Sequence, residues 1–237
     1  LEPWESTLAD TAASWGIALS DAQLAQFRLY ADELRRWNER VNLTAISDPA
    51  QIAVRHFLDS LRCALLWGEA PQSLIDIGTG AGFPGLPLKL LRPSLALTLV
   101  ESVAKKAAFL EHVVAQLGLN DVTVVVGRAE ALGRDPLHRE RYDVATARAV
   151  AELRVLAEYC LPLCRVGGRF LAPKSERLSE ELAQAERAIG LLGGALLEVA
   201  PVALPGVEPR TIAVVEKVAP TPPAYPRAVG VPARRPL

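Results

Sequence analysis

The sequence predicts an α/β fold: a seven-stranded, Rossmann-like, largely parallel sheet whose last strand is antiparallel, preceded by an N-terminal helical cap. Three observations carry that expectation. After Pro71, short apolar runs alternate with segments of helical period, and such alternation builds a parallel sheet covered on both faces. The last two apolar runs, about 195–203 and 211–218, have no helix between them, and the Pro205-Gly206 linker makes them an antiparallel hairpin. Before Pro71, the apolar spacing is helical.

The elements follow in order. Residues 1–20 are helix-like but weakly patterned. Ser20 with Gln23 forms a capping box, and Leu24, Phe27, Ala31, Leu34 and Val41 follow at helical spacing. The opposite face carries Arg28, Arg35, Arg36 and Arg40. Asn42 is expected to order the next turn. Asp48-Pro49 opens a second helix, about 50–67, with Val54, Phe57, Leu58, Leu61 and Leu65 as its stripe. Ser73–Ile77 is a buried strand stopped by glycines, and a short helix ends before Pro93. Strand 95–100 leads to a helix capped by Ser102 and closed near Gly118. Strands at 122–126 and 143–146, a helix over about 151–164, a strand at 169–172 after Gly167-Gly168, and a helix over about 176–192 complete the alternation. The expected organisation is a cap over 1–70, a core over 71–218 and a basic, proline-rich tail over 219–237.

Composition excludes several classes. The 237 residues carry 26 Lys+Arg against 27 Asp+Glu, a net charge of −1. That average hides an asymmetry. Lys217, Arg227, Arg234 and Arg235 stand in the last stretch with no acid, so residues 1–216 hold 22 basic and 27 acidic groups, a net of −5. An acidic body with a basic tail suits an arm that touches nucleic acid. Three cysteines without a C-x-x-C argue against a disulfide scaffold or a four-ligand zinc site, and no metal is expected. Cys160 and Cys164, one helical turn apart, are expected as buried core thiols. No apolar run approaches the roughly 20 residues that span a bilayer, so no membrane partner is expected and the simplest compartment is the cytoplasm. Nothing in the sequence demands more than a monomer.

The densest signal is Asp76-Ile77-Gly78-Thr79-Gly80-Ala81-Gly82-Phe83-Pro84-Gly85. Glycines at the carboxyl end of a first strand let the backbone pass close under a ligand. Gly80-x-Gly82-x-x-Gly85 matches a dinucleotide fingerprint. Counted from Gly78, which follows the strand directly, the third glycine of that fingerprint falls on Phe83. Gly78-x-Gly80-x-Gly82 behind Asp76 instead resembles the loop of class I S-adenosylmethionine-dependent methyltransferases, and the terminal antiparallel pair resembles their sheet. Glu101, 23 residues beyond Gly78, stands where an acid accepts ribose hydroxyls, although it also suits a surface position beside the Ser102 cap. Gly127-Arg128-Ala129-Glu130 follows the third strand, where that fold holds adenine.

The loop after the fourth strand, Ala145-Thr146-Ala147-Arg148-Ala149, lacks the Pro-Pro-aromatic signature of exocyclic-amine methylases. No cysteine is placed as a cytosine-C5 nucleophile. A ring nitrogen with a free lone pair is the acceptor that remains, and it needs no general base; the catalytic residues are unassigned. Arg148 is a candidate to orient acceptor or cofactor, with an ordinary salt bridge as the competing reading. His56, Asp59 and Ser60 share one helix face, which either closes over the pocket or makes a plain helix contact. His112 and His138 have no supporting constellation and are expected to be solvated.

Trp37-Asn38, Val41-Asn42-Leu43-Thr44, Val54-Arg55-His56-Phe57-Leu58-Asp59-Ser60, the Asp76–Gly85 loop, Ala147-Arg148-Ala149 and Pro173-Lys174 occur in this order. Over roughly residues 20–218 the sequence resembles the RsmG (GidB) family, bacterial methyltransferases acting on guanine N7 in 16S ribosomal RNA. The resemblance implies S-adenosyl-L-methionine as cofactor, held at Gly78, Phe83, Glu101, Ser102, Val103, Ala129, Glu130 and Arg148, and the glycine loop adds Gly80 and Gly82 as cofactor-binding candidates. It also implies 16S rRNA or the 30S particle as partner. Ser175 stands where relatives often have Gly. Candidate RNA contacts are Arg28, Arg35, Arg36, Arg40, His56, Lys174, Arg227, Arg234 and Arg235, and the arginines should gather on the acceptor side of the pocket. The alternatives are a small-molecule methyltransferase, a nicotinamide-dependent oxidoreductase and an RNA-binding module with a vestigial pocket.

Overall fold

The computed structural model describes residues 2–69, 71–148, 151–174 and 178–237. Ala149, Ser175 and the start of the helix expected from 176 lie outside them. Among the described residues, seven strands form one sheet in the order β3-β2-β1-β4-β5-β7-β6. β1 (Ser73–Ile77), β2 (Ala96–Glu101), β3 (Val122–Val126), β4 (Tyr142–Ala147) and β5 (Cys164–Lys174) run parallel. β7 (Arg210–Lys217) inserts between β5 and β6 (Gly194–Val202) and is antiparallel to both. This is the expected architecture.

Side chains alternate across the sheet and build two cores. Leu74, Leu97, Leu99, Val144 and Leu171 face one side, where α1 (Pro3–Ser14), α2 (Asp21–Asn38), α5 (Gly85–Leu91) and α6 (Ala104–Gln116) pack. Ile75, Ile77, Ala145 and Phe170 face the other side, under α8 (Leu153–Cys160) and α9 (Leu178–Leu191). The N-terminal helices share the first core with the sheet; Phe27, Tyr30 and Phe57 are fully buried there.

Several local expectations are refined. Ser20 and Gln23 form the capping box of α2. The second cap helix is not uniform. It starts as α3 (Pro49–Ile52) behind the Asp48 cap, widens to an i→i+5 π-turn over Ala53–Leu58, passes through α4 (Asp59–Leu61) and ends as a 3₁₀ turn, Arg62–Leu65. The helix after β2 is capped at Val103 rather than at Ser102. The turn after α2 is ordered by Asn38, not Asn42. Asn38 Oδ1 accepts from the Leu43 and Thr44 amides (2.8 and 3.0 Å), and its amide donates to Thr44 O (2.8 Å). A short helix, α7 (Ala129–Leu132), stands where a loop was expected, because a four-residue turn leaves too little period to read. β5 starts at Cys164, five residues before Arg169, with its register against β4 shifted between Tyr142 and Val144. Cys164 is therefore in a strand, not one helical turn from Cys160, although both thiols are buried.

His112 and His138 are held rather than solvated. His112 Nε2 meets Glu33 Oε2 at 2.7 Å, and His138 Nδ1 meets the Tyr142 hydroxyl at 2.7 Å. Among the described residues, no helix is long and apolar enough to cross a membrane. Residues 219–237 pack along the outside of the second core and end in α10 (Val231–Arg234).

Candidate functional site

β1 ends by delivering Asp76 into the interior, where it is fully buried. Asp76 Oδ2 accepts from the Thr79 hydroxyl (2.6 Å) and from the Gly85 amide (2.8 Å), so the glycine loop is wound around one carboxylate. Burial pushes that carboxyl up to about 7, against the opposing pull of the two hydrogen bonds. Two glycines are required by close approach. A Cβ on Gly85 would lie 2.9 Å from Asp76 Oδ2, and one on Gly82, whose φ is +100°, would lie 2.6 Å from the Tyr30 hydroxyl. That hydroxyl donates to Ala81 O at 2.5 Å and ties the loop to the helical cap. From β2, Glu101 braces the loop. Its Oε2 accepts from the Gly80 amide (3.0 Å) and its Oε1 from the Val103 amide (2.8 Å), and each oxygen keeps a further lone pair.

A cavity of about 260 Å³ opens over the carboxyl ends of β1, β2 and β3. Gly78, Ser102, Ala129 and Glu130 line it, together with Tyr159 and Ala233, which the sequence did not single out. Tyr159 reads as one more residue of an amphipathic helix, and Ala233 belongs to a tail with no visible periodicity. Gly80 and Glu101 stand behind the lining as its support. Two buried polar atoms near the strand ends, Asp76 Oδ1 and Thr146 Oγ1, have no hydrogen-bond partner among the described residues, and these two residues are paired neighbours of β1 and β4. Glu101 at the end of β2, Glu130 just after β3 and a glycine loop whose backbone passes close beneath them suit a polar, nucleoside-bearing ligand.

A second locus lies on the cap side of the loop. The Phe83 ring is buried between three groups: Tyr30 (centroids 5.3 Å), His56 (4.4 Å, nearly parallel) and the Arg148 guanidinium (5.1 Å). Its side chain is used in packing. Arg148 leaves the end of β4 and donates to Asp59 Oδ2 (2.9 Å), to Arg55 O (3.3 Å) and to His56 Nδ1 (3.2 Å). Because Nδ1 accepts, the ring proton sits on Nε2 and is donated to the Thr44 hydroxyl (2.9 Å). Burial first, and the Arg148 charge second, push the His56 pKa down to about 3, so the ring is neutral at physiological pH. His56, in the π-turn, and Asp59, at the start of α4, stand three residues apart and both meet Arg148. Arg210, at the start of β7, shares Asp59 Oδ2 at 3.5 Å and was not singled out from the sequence. His56 thus belongs to this buried contact rather than to an exposed face, and Ser60 bonds back to His56 O (2.5 Å).

The basic residues expected to face RNA are dispersed. Arg28 forms a two-bond pair with buried Glu5 (2.6 and 2.8 Å), Arg36 pairs with Glu33, and Arg35 stands 3.9 Å from Asp32. These, with Arg40, lie on or just after α2, on the first face of the sheet. Arg227 grips buried Glu158 on the opposite face, and Lys217 is fully buried on Glu140 and the Leu161 carbonyl. Lys174 is paired with Glu181 (2.7 Å). Arg234 and Arg235 are the exposed cations of the tail. The expected single basic patch is therefore not formed by these residues, and the charge asymmetry of the sequence does not map onto one surface.

Comparison with known proteins adds identity to this geometry. The family description "rRNA small subunit methyltransferase G" (GidB) matches residues 23–205. The chain is 66% identical to the ribosomal RNA small subunit methyltransferase G of Roseiflexus sp. (strain RS-1), over 97% of this chain and 98% of that one. It is 55% identical to the protein of the same name from Chloroflexus aggregans, over 98% of each. Among solved structures, a putative O-methyltransferase from Klebsiella pneumoniae superposes with a TM-score of 0.59 at 14% identity, over 90% of this chain and 96% of that one, a likeness of fold.

Proposed function

The chain belongs to the GidB family, rRNA small subunit methyltransferase G, and from that premise we propose how its site performs the reaction. It is an S-adenosylmethionine-dependent methyltransferase that methylates guanine N7 in 16S rRNA. We place it in the cytoplasm as a single chain. The observation that carries the site assignment is the cavity over β1–β3, bounded by Gly78, Ser102 and Glu130 and braced by Glu101. When bound, the cofactor supplies an electrophilic methyl on a sulfonium.

The chain's residues bind and orient. The Gly78–Gly85 loop offers backbone groups that Asp76 and Glu101 hold in place. Glu101 has lone pairs that would accept ribose hydroxyls, and Ala129-Glu130 would hold the adenine edge. Arg148, fixed by Asp59 and His56, borders the acceptor side. No group of this chain has to remove a proton, because guanine N7 carries a free lone pair for the methyl that the bound cofactor would supply. His56, neutral and doubly hydrogen-bonded, is a positioning residue for Arg148. The rate then comes from alignment and electrostatics rather than acid–base chemistry.

Thermal shift tests the cofactor half. S-adenosylhomocysteine should raise the melting temperature and NAD should not. Stabilisation by NAD alone would overturn the assignment.

A further inference from the structure

The tail does not run free. Thr221 donates its amide to Glu140 Oε1 (2.7 Å), Arg139 donates to the Thr221 and Tyr225 carbonyls (both 2.7 Å), and Arg134 donates to Pro226 O (2.7 Å). Arg227 then places both its amide (2.7 Å) and its guanidinium (2.6 Å) on Glu158, whose carboxylate is buried in α8. Three residues later the Gly230 amide donates to Glu130 Oε1 at 2.8 Å. Gly230 has φ +79°, which turns the chain into α10, and Ala233 of that turn reaches the mouth of the cavity that holds Glu130. Four successive anchors thus lead the tail to one carboxylate of the cofactor site.

We propose that Gly230–Arg234 is a wall of the cofactor site and that the Gly230 amide orients Glu130 to read the 6-amino group of the cofactor's purine. This rests on the methyltransferase reading above. A carboxylate only accepts hydrogen bonds. The tail's hydrogen bond to Oε1 fixes the carboxylate's orientation, and Oε2, which accepts from no group among the described residues, is the oxygen with both lone pairs open to a donor inside the cavity. An amino group at the purine 6-position donates, whereas the carbonyl of hypoxanthine opposes the carboxylate. Gly230 acts through Glu130 and is a positioning residue. The tail's function is then cofactor recognition, not a clamp on RNA phosphates.

The experiment is calorimetric titration of S-adenosylhomocysteine, and of its hypoxanthine analogue, into the full chain and two variants. One variant ends at Ala228, which keeps the Arg227–Glu158 grip. The other is Gly230→Pro, which removes the amide donor and, with φ fixed at about −65°, also abolishes the left-handed turn that brings α10 to the cavity. The expected result is a Kd for S-adenosylhomocysteine raised about tenfold in both variants, the scale of one hydrogen bond to a charged group. Discrimination against the hypoxanthine analogue should shrink by a similar factor, while RNA affinity and its salt dependence stay unchanged. A Kd within twofold of the full chain, an equal loss for both nucleosides, or lost RNA affinity with cofactor binding intact would each overturn the proposal. Failure of the full chain itself to bind S-adenosylhomocysteine would instead overturn the methyltransferase reading.

Discussion

Asp76→Asn separates the charge of the loop's central carboxylate from its shape. The amide oxygen can accept from Thr79 and Gly85 as Oδ2 does, so the winding of the loop is kept and ionisation is removed. The folded carboxyl titrates near about 7 against an ordinary 3.8, chiefly because it is buried; the Thr79, Gly85 and Arg148 interactions oppose that shift and the Glu101 charge adds to it. Between those two values the folded chain holds a proton that the unfolded chain has released. The stability from this group is therefore complete below the unfolded value and is lost as pH rises through the folded one. Each pH unit is about 1.4 kcal/mol, with the slope halved by the time pH reaches the folded value, so the parent loses roughly 2 kcal/mol between about pH 5 and about pH 7 that the variant keeps. Urea unfolding of both proteins at the two pH values reads this directly, as the stability gap between variant and parent, provided the m-values agree. A gap that is the same at both pH values would refute the buried, proton-holding Asp76.

Other consequences are as concrete. Asp59→Ala leaves Arg148 without its buried carboxylate and should cost about 3–5 kcal/mol, with a lower melting temperature and reduced methyl transfer; an unchanged melting temperature would argue against the pair. His56 titrates near about 3, so the folded chain resists a proton the unfolded chain takes up below about 6.5, and stability should fall by about 1.4 kcal/mol per unit as pH drops through that window. His56→Gln should remove that slope, and the methyl-transfer rate of the parent should show no histidine titration near neutrality. Gly82→Ala drives a Cβ against the Tyr30 hydroxyl and Leu86 at φ +100°, and should lower both the melting temperature and the affinity for S-adenosylhomocysteine. An alanine variant that binds as the parent does would show that the loop can open without loss.

What was legible in the sequence was local. Ser20 with Gln23, the valine run of β3, the glycines after β1 and the Pro-Gly linker of the hairpin each state their conformation within a few residues, and each was read correctly. What was not legible depended on partners far along the chain. Arg227 and Glu158 are 69 residues apart, and Gly230 and Glu130 are 100 apart, so no spacing rule could show that the tail is docked. An arginine opposite an apolar stripe is read only as exposed. Its acidic neighbour decides whether its charge is available, and Glu5 for Arg28 comes from another helix. The face carrying His56 and Asp59 was visible, but its target, Arg148, follows β4 and lies 89 residues beyond Asp59, a pairing that only the sheet order brings about.

The central claim is methyl transfer to a guanine ring nitrogen without a general base. It is tested most directly by incubating the chain with S-adenosylmethionine and 16S rRNA, as free RNA and as 30S particles, then reducing the product with borohydride and cleaving with aniline, which cuts at N7-methylguanine. The account predicts cleavage at one guanine that depends on the cofactor and is lost with Arg148→Ala. Methyl incorporation without any aniline-sensitive site would contradict it, because the methyl would then sit on another atom.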